Sequence, residues 1–252
     1  MDDKEDNYDK ANQAFKLPIF SVGLILGYFF SQLFISDVFA YLNNVSRMQL
    51  STSMTFYCAA LNAGIWIAIC TSVIPKLNLP KMKKSNQNDI SKYILIGVGL
   101  LILFRIFFGY IALLTNFKPE MQGVAKEVQN LGTSGLFIII LSTSFLIPII
   151  EELLFRDLLH RSLKVSLSAT FASIISATLF GFVHILPDVI PSLIAIGLVL
   201  SYTYEKSGSI IVPIALHIIN NFVSVIGLVF YADLKEQVQD AASILIILCT
   251  SF

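Results

Sequence analysis

The chain has 252 residues, 56% of them hydrophobic and only 13% charged, with a formal net charge of zero. A mean hydropathy of +0.76 lies far outside soluble usage and points to a membrane as the solvent. No basic stripe with interleaved aromatic residues is present, which sets nucleic-acid binding aside.

The N-terminal MDDKEDNYDKANQAFK is too acidic and polar for the start of a signal peptide. No small-residue cleavage site follows the first apolar run, so that run is expected to stay in the mature protein. A bilayer core about 30 Å thick takes about 20 apolar residues per helical crossing. Runs of this kind lie near 17–41, 52–75, 92–115 and 134–150. The fourth continues into EELLFRDLLHRSLK, and further spans follow near 167–186, 189–204 and 209–231. The last apolar piece, AASILIILCTSF, is short enough to be a re-entrant or interfacial segment. The expected fold is all-α, a polytopic transmembrane bundle of about seven to eight spans. It divides into a cytoplasmic segment 1–16, N-terminal transmembrane helices 17–133, a core 134–231 and a C-terminal apolar segment 232–252.

Positive charge sets the expected orientation. With the N-terminus inside, the inner segments hold twelve lysines and arginines, five of them in KLNLPKMKKSNQNDISK. The outer segments hold four: Arg47, Lys118, Lys126 and Lys235. Arg105 is left within the third span. Cys58, Cys70 and Cys249 sit in apolar segments without metal-type spacing and read as packing residues.

A charge at the centre of a membrane helix costs about 2.5–3.5 kcal/mol on insertion scales, so the polar residues of the second half are informative. Glu151 and Glu152 follow SGLFIIILSTSFLIPII, and Arg156 stands four residues beyond Glu152, on the same helical face and suited to an ion pair. Glu151 then points elsewhere. The plain alternative is that the apolar helix ends at Ile150 and that the Glu pair, Arg156, Asp157, His160 and Arg161 form an ordinary amphipathic cytoplasmic extension after it. His184, near the end of an apolar span with Phe180 one turn before it, reads equally as an interfacial residue. His217 and Asn221 share one face of the 209–231 span, where the alternative is helix–helix glue with His217 accepting from Asn221. Asn220 falls on a different face. Taken together, a carboxylate and an imidazole can hold and deprotonate a water, while a second imidazole and a carboxamide can donate to an oxyanion.

EELLFR, FGFVH and HIINN, on successive apolar helices, resemble the E-E-x-x-x-R, F-x-x-x-H and H-x-x-x-N motifs of the CPBP family of membrane proteases. This family is also called Abi or CAAX-protease-like. It includes type II CAAX prenyl endopeptidases and bacterial members linked to bacteriocin immunity or peptide processing. The resemblance implies that 134–231 is a catalytic core in which Glu151 activates water with help from His184. His217 and Asn221 then form the oxyanion hole, Glu152 pairs with Arg156 or lines the site, and Phe180 packs against it. It also implies a glutamate mechanism without a cofactor. Zinc is the alternative, although neither HExxH nor a three-histidine set is present.

One geometric conflict follows. A helix ending at Ile150 leaves Glu151 at the inner surface, with His184 about 24 Å along the next helix at 1.5 Å per residue. The conflict is removed by a long helix over about 135–163 and a following helix that starts late or kinks near Gly181, around a polar cavity. The expected protein is a multi-pass bacterial cell-membrane endopeptidase meeting lipids and a peptide or protein substrate. Its role would be peptide maturation or bacteriocin self-immunity. The rival readings are an ion-coupled transporter and a non-catalytic immunity or adaptor protein.

Overall fold

The computed structural model describes residues 2–115, 131–184 and 187–234. Among them every regular element is helical. In chain order the main helices are α1 (Asp2–Leu42), α2 (Thr52–Val73) and α3 (Gln87–Leu114), then α4 (Thr133–Leu163). They are followed by α5 (Ala169–Phe182), α6 (Ile190–Ser207) and α7 (Ile211–Leu234).

Local chemistry sets several of the boundaries. Ser51, Asn86 and Ser168 cap α2, α3 and α5, each side chain accepting a hydrogen bond from the backbone N–H three residues on. Pro191 occupies the first turn of α6, where its missing N–H costs nothing. Gly208 ends the same helix with φ 71°, a left-handed conformation that glycine adopts without penalty. A Cβ at Gly208 would also run into the carbonyl of Lys83 in the basic α2–α3 connection. Gly208→Ala is therefore expected to cost about 1–3 kcal/mol of stability, read as a lowered melting midpoint of the purified protein in detergent. An unchanged midpoint would show that the connection yields freely.

Among the described residues five helices are long and apolar enough to cross a membrane: Ala14–Leu42, Thr52–Lys76, Gln87–Leu114, Thr133–Leu163 and Ile211–Val229. Phe30, Phe34, Leu103 and Phe107 are exposed on the outer surfaces of α1 and α3, which suits contact with lipid tails. The expected count of seven to eight full crossings is not matched among the described residues. The spans expected near 167–186 and 189–204 take the form of α5, with 14 residues, and α6, with 18. At 1.5 Å per residue these reach only about 21 and 27 Å. The expected segment 232–252 lies almost wholly outside the described residues, as do Lys118, Lys126, Lys235 and Cys249.

Helix α4 is the axis of the fold. Its Ile150, Leu154, Phe155, Leu158 and Leu159 pack in one buried cluster with Ile25 and Tyr28 of α1, Ala63 and Cys70 of α2, and Phe180 and Leu193. A second cluster joins Leu101 of α3, Ile196, Val199 and Leu200 of α6, and Val212 and Leu216 of α7. Lipid tails are as apolar as leucine, so such packing stabilises through van der Waals contact and hydrogen bonds rather than through exclusion of water. Small residues make the contact close: a Cβ on Gly197 of α6 would stand 3.0 Å from Ala177 of α5. Hydrogen bonds join α1 to α2, where Trp66 Nε1 donates to Ser31 Oγ (2.8 Å) and buried Asn62 donates to the Tyr28 carbonyl (3.2 Å). A polar residue in an apolar span can thus be purely structural. Cys58 and Cys70 are buried free thiols, in keeping with packing roles.

Candidate active site

The long helix expected over 135–163 is present, continuous from Thr133 to Leu163. Two of its stretches, Ile140–Leu146 and Leu153–His160, are wound as π-helix and flank the α-helical turn Ile147–Glu152. Such insertions widen a helix and recur at functional sites. Glu151 lies twelve residues before the end of α4, about 18 Å along it. His184 lies fifteen residues beyond the start of α5, about 22 Å along the returning direction. The two therefore come level, and the conflict of depth disappears. No kink at Gly181 is involved, since α5 runs through it to Phe182.

The four residues expected to carry chemistry gather around one cavity of about 250 Å³. Its walls include Glu151, Phe180, His184, His217 and Asn221, together with Thr143, Asn220 and Ser224. His184 Nε2 stands 3.9 Å from Glu151 Oε1, and His217 Nε2 stands 3.7 Å from Glu151 Oε2. Both separations exceed a direct hydrogen bond and leave the carboxylate facing two imidazoles. Glu151 is 5% exposed and His217 4%, so charges here meet little solvent screening.

The far nitrogen of each ring is held. His184 Nδ1 is 2.7 Å from the Phe180 carbonyl, which can only accept, so that nitrogen carries the proton. His217 Nδ1 donates to Glu152 Oε1 at 2.9 Å. Both Nε2 atoms are thereby turned towards Glu151. The same Glu152 oxygen accepts from Arg156 Nη1 at 2.9 Å, and both partners of this ion pair are fully buried. Glu152 thus pairs with Arg156, as its spacing suggested, and also with His217; it does not line the cavity. Arg156 reaches α6 through the Gly197 carbonyl (3.3 Å).

Phe180 fills the space between these groups. Its ring meets His184 edge-on at 4.9 Å and His217 at 5.6 Å, and the Arg156 guanidinium sits 4.6 Å over it, within cation–π range. Asn221 does not donate to His217, the glue alternative; its Nδ2 donates to the Thr143 carbonyl of α4 at 3.0 Å. His160, the third histidine, belongs elsewhere, 2.7 Å from Glu205 in a cluster with Lys164 near the end of α4.

Two polar residues enter the site against the sequence reading. Asn220, placed there on a different face, lines the cavity and is 4% exposed. Arg105, left unassigned in the third span, is 8% exposed and donates through Nη2 to Asn220 Oδ1 at 2.8 Å. The cost of a charge in an apolar helix was the available signal for Arg105, but its partner lies 115 residues away.

A metal would need three or more protein donors converging at about 2 Å. Among the described residues no group of three or more His, Cys, Asp or Glu side chains is so arranged.

Comparison with known proteins bears on this geometry. Residues 133–223 match the family described as Type II CAAX prenyl endopeptidase Rce1-like. The chain is also 28% identical over 152 residues to a Bacillus subtilis (strain 168) protein named "Putative membrane peptidase YdiL". The alignment covers 56% of this chain and 62% of that protein, less than two thirds of its length. No solved structure matches. The stretch that builds most of the cavity is the stretch that is similar to this family.

Proposed function

We propose that the protein is an intramembrane endopeptidase that hydrolyses a peptide bond of a membrane-associated peptide or protein with water activated by Glu151. The observation that carries this reading is the buried Glu151 carboxylate at the cavity, facing two imidazoles whose far nitrogens are held, with carboxamides on the adjoining wall.

In the reaction a water lying between Glu151 and the imidazoles gives one proton to the carboxylate while its oxygen adds to the scissile carbonyl carbon. The carbonyl electron pair moves to oxygen, and the resulting oxyanion accepts from Asn221 Nδ2–H and from Nε2–H of His217, which enters the cycle as an imidazolium carrying a proton taken from solvent and keeps that proton throughout. The Glu152 carboxylate on Nδ1 offsets the charge of that imidazolium, and Arg156 balances Glu152 in turn. Collapse breaks the C–N bond as Glu151 passes its proton to the leaving amine. His184 holds the water on the side opposite His217. Asn221→Ala, which removes an oxyanion donor, is expected to lower kcat by about 10²–10³-fold.

The protein is read as lying in a bacterial plasma membrane with its N-terminus and its lysine-rich α2–α3 connection inside, by the bias of positive charge. Peptide maturation or bacteriocin self-immunity is the role that suits such a member of the family.

Cleavage of a peptide library by protein purified in detergent, followed by mass spectrometry, tests the reading. Activity is expected to resist a chelator and to be lost in Glu151→Gln and His184→Ala. Asn43→Ala, at the exposed end of α1, serves as control in place of Asn220. Chelator sensitivity reversed by zinc would instead install a metal mechanism.

A further inference from the structure

We infer that Arg105, on α3 and outside the family-matched stretch, positions the oxyanion-binding amide of Asn221 by acting through Asn220. This inference rests on the endopeptidase reading and names a residue that serves the reaction without touching the substrate.

The argument is one of donors and acceptors. A guanidinium has only donors. Arg105 Nη2 lies 2.8 Å from Asn220 Oδ1, 2.8 Å from the Asn220 carbonyl and 2.8 Å from Ser224 Oγ. Asn220 must therefore present its oxygen to Arg105 and turn its NH₂ group away. That NH₂ donates to Asn221 Oδ1 at 3.3 Å. Asn221 in turn presents its own NH₂, which donates to the Thr143 carbonyl at 3.0 Å. The relay begins at a group that only donates and ends at one that only accepts. Reversing either amide sets donor against donor or acceptor against acceptor, so both carboxamides are held in one orientation.

The Thr143 carbonyl is open to Asn221 for a reason written into α4. In the π-wound stretch the Ile147 N–H bonds to the Ser142 carbonyl, five residues back. The next N–H in that pattern would serve Thr143, but position 148 is proline and has none. The bond the helix cannot supply comes from Asn221. One hydrogen of its NH₂ is thereby committed, and the other is left for a ligand of the cavity that Asn220, Asn221, His217 and Ser224 line. The buried positive charge of Arg105, directly behind Asn220 and Ser224, also favours negative charge developing on that wall.

The test measures kcat and KM on a peptide that the wild-type protein cleaves. Arg105→Met is expected to lower kcat by about tenfold or more, short of the loss for removing an oxyanion donor outright, with KM little changed. Arg105→Lys, which keeps a donor-only cation, should recover part of the loss. Asn220→Asp keeps an acceptor for Arg105 but no donor for Asn221, and should fall as far as Arg105→Met. In an Asn221→Ala background, Arg105→Met should cost less than about twofold more, because residues acting through one another are not additive.

Wild-type kcat in Arg105→Met and Asn220→Asp, or full additivity in the double variant, would overturn the inference and leave the endopeptidase reading standing. Should Arg105→Met not fold, Asn220→Asp decides by the same kcat criterion. Wild-type protein that cleaves no peptide removes the reaction and the inference together.

Discussion

Glu151→Gln is expected to lower the cleavage rate by about 10³-fold or more, within the range general-base catalysis supplies, while the protein keeps its melting midpoint. Glutamine has the same shape and retains one oxygen, so the cavity keeps its volume and most of its polarity. It cannot take a proton from water. Glu151 stands 3.9 and 3.7 Å from the nearest atoms of His184 and His217, too far for direct hydrogen bonds that would hold the fold together. The substitution therefore separates chemistry from structure. Retained cleavage would place the base elsewhere. Loss of cleavage with retention of the cellular phenotype would favour the adaptor reading, because binding a peptide does not need a proton acceptor at this position.

Arg156→Met is expected to destabilise the protein by about 3–5 kcal/mol, the cost of breaking a buried ion pair by removing one partner. Arg156 and Glu152 are fully buried and 2.9 Å apart, and truncating the arginine strands the Glu152 carboxylate beside His217. The double variant Glu152→Gln/Arg156→Met removes the stranded charge and should recover part of the stability without recovering activity, since His217 Nδ1 then faces a neutral amide. Thermal unfolding in detergent, followed by circular dichroism, measures both steps. Little dependence on ionic strength is expected, because salt screens buried pairs weakly. A wild-type midpoint in Arg156→Met would show that Glu152 is held neutral and carries no charge to strand.

Much of the site was legible because charge in an apolar helix is costly enough to mark itself. Glu151, Glu152, Arg156, His184, His217 and Asn221 were each visible as polar positions in hydrophobic surroundings, and the spacing of four correctly paired Glu152 with Arg156. Asn62 obeys the same rule and serves only to join α1 to α2, so burial cost by itself marks a hydrogen-bond requirement rather than a reaction. The helix-face argument for Asn220 failed because it took the site to be as narrow as the one face that His217 and Asn221 share, whereas the cavity spans more than that face. On α7 the two neighbours face one cavity together, Asn220 turned towards α3 and Asn221 towards α4.

The sequence by itself determined that the chain is rich in apolar helix of membrane-spanning length, and which residues are chemically notable. These properties depend on composition and on short-range periodicity, which the backbone reads locally. Only the tertiary structure decided that α5 and α6 are short, that His217 sits between two glutamates, and that Arg105 stands behind the Asn pair. Those outcomes depend on how helices distant in sequence pack. Such packing follows side-chain volume, π-wound register and donor–acceptor matching, summed over many partners, and no spacing within a single helix encodes them.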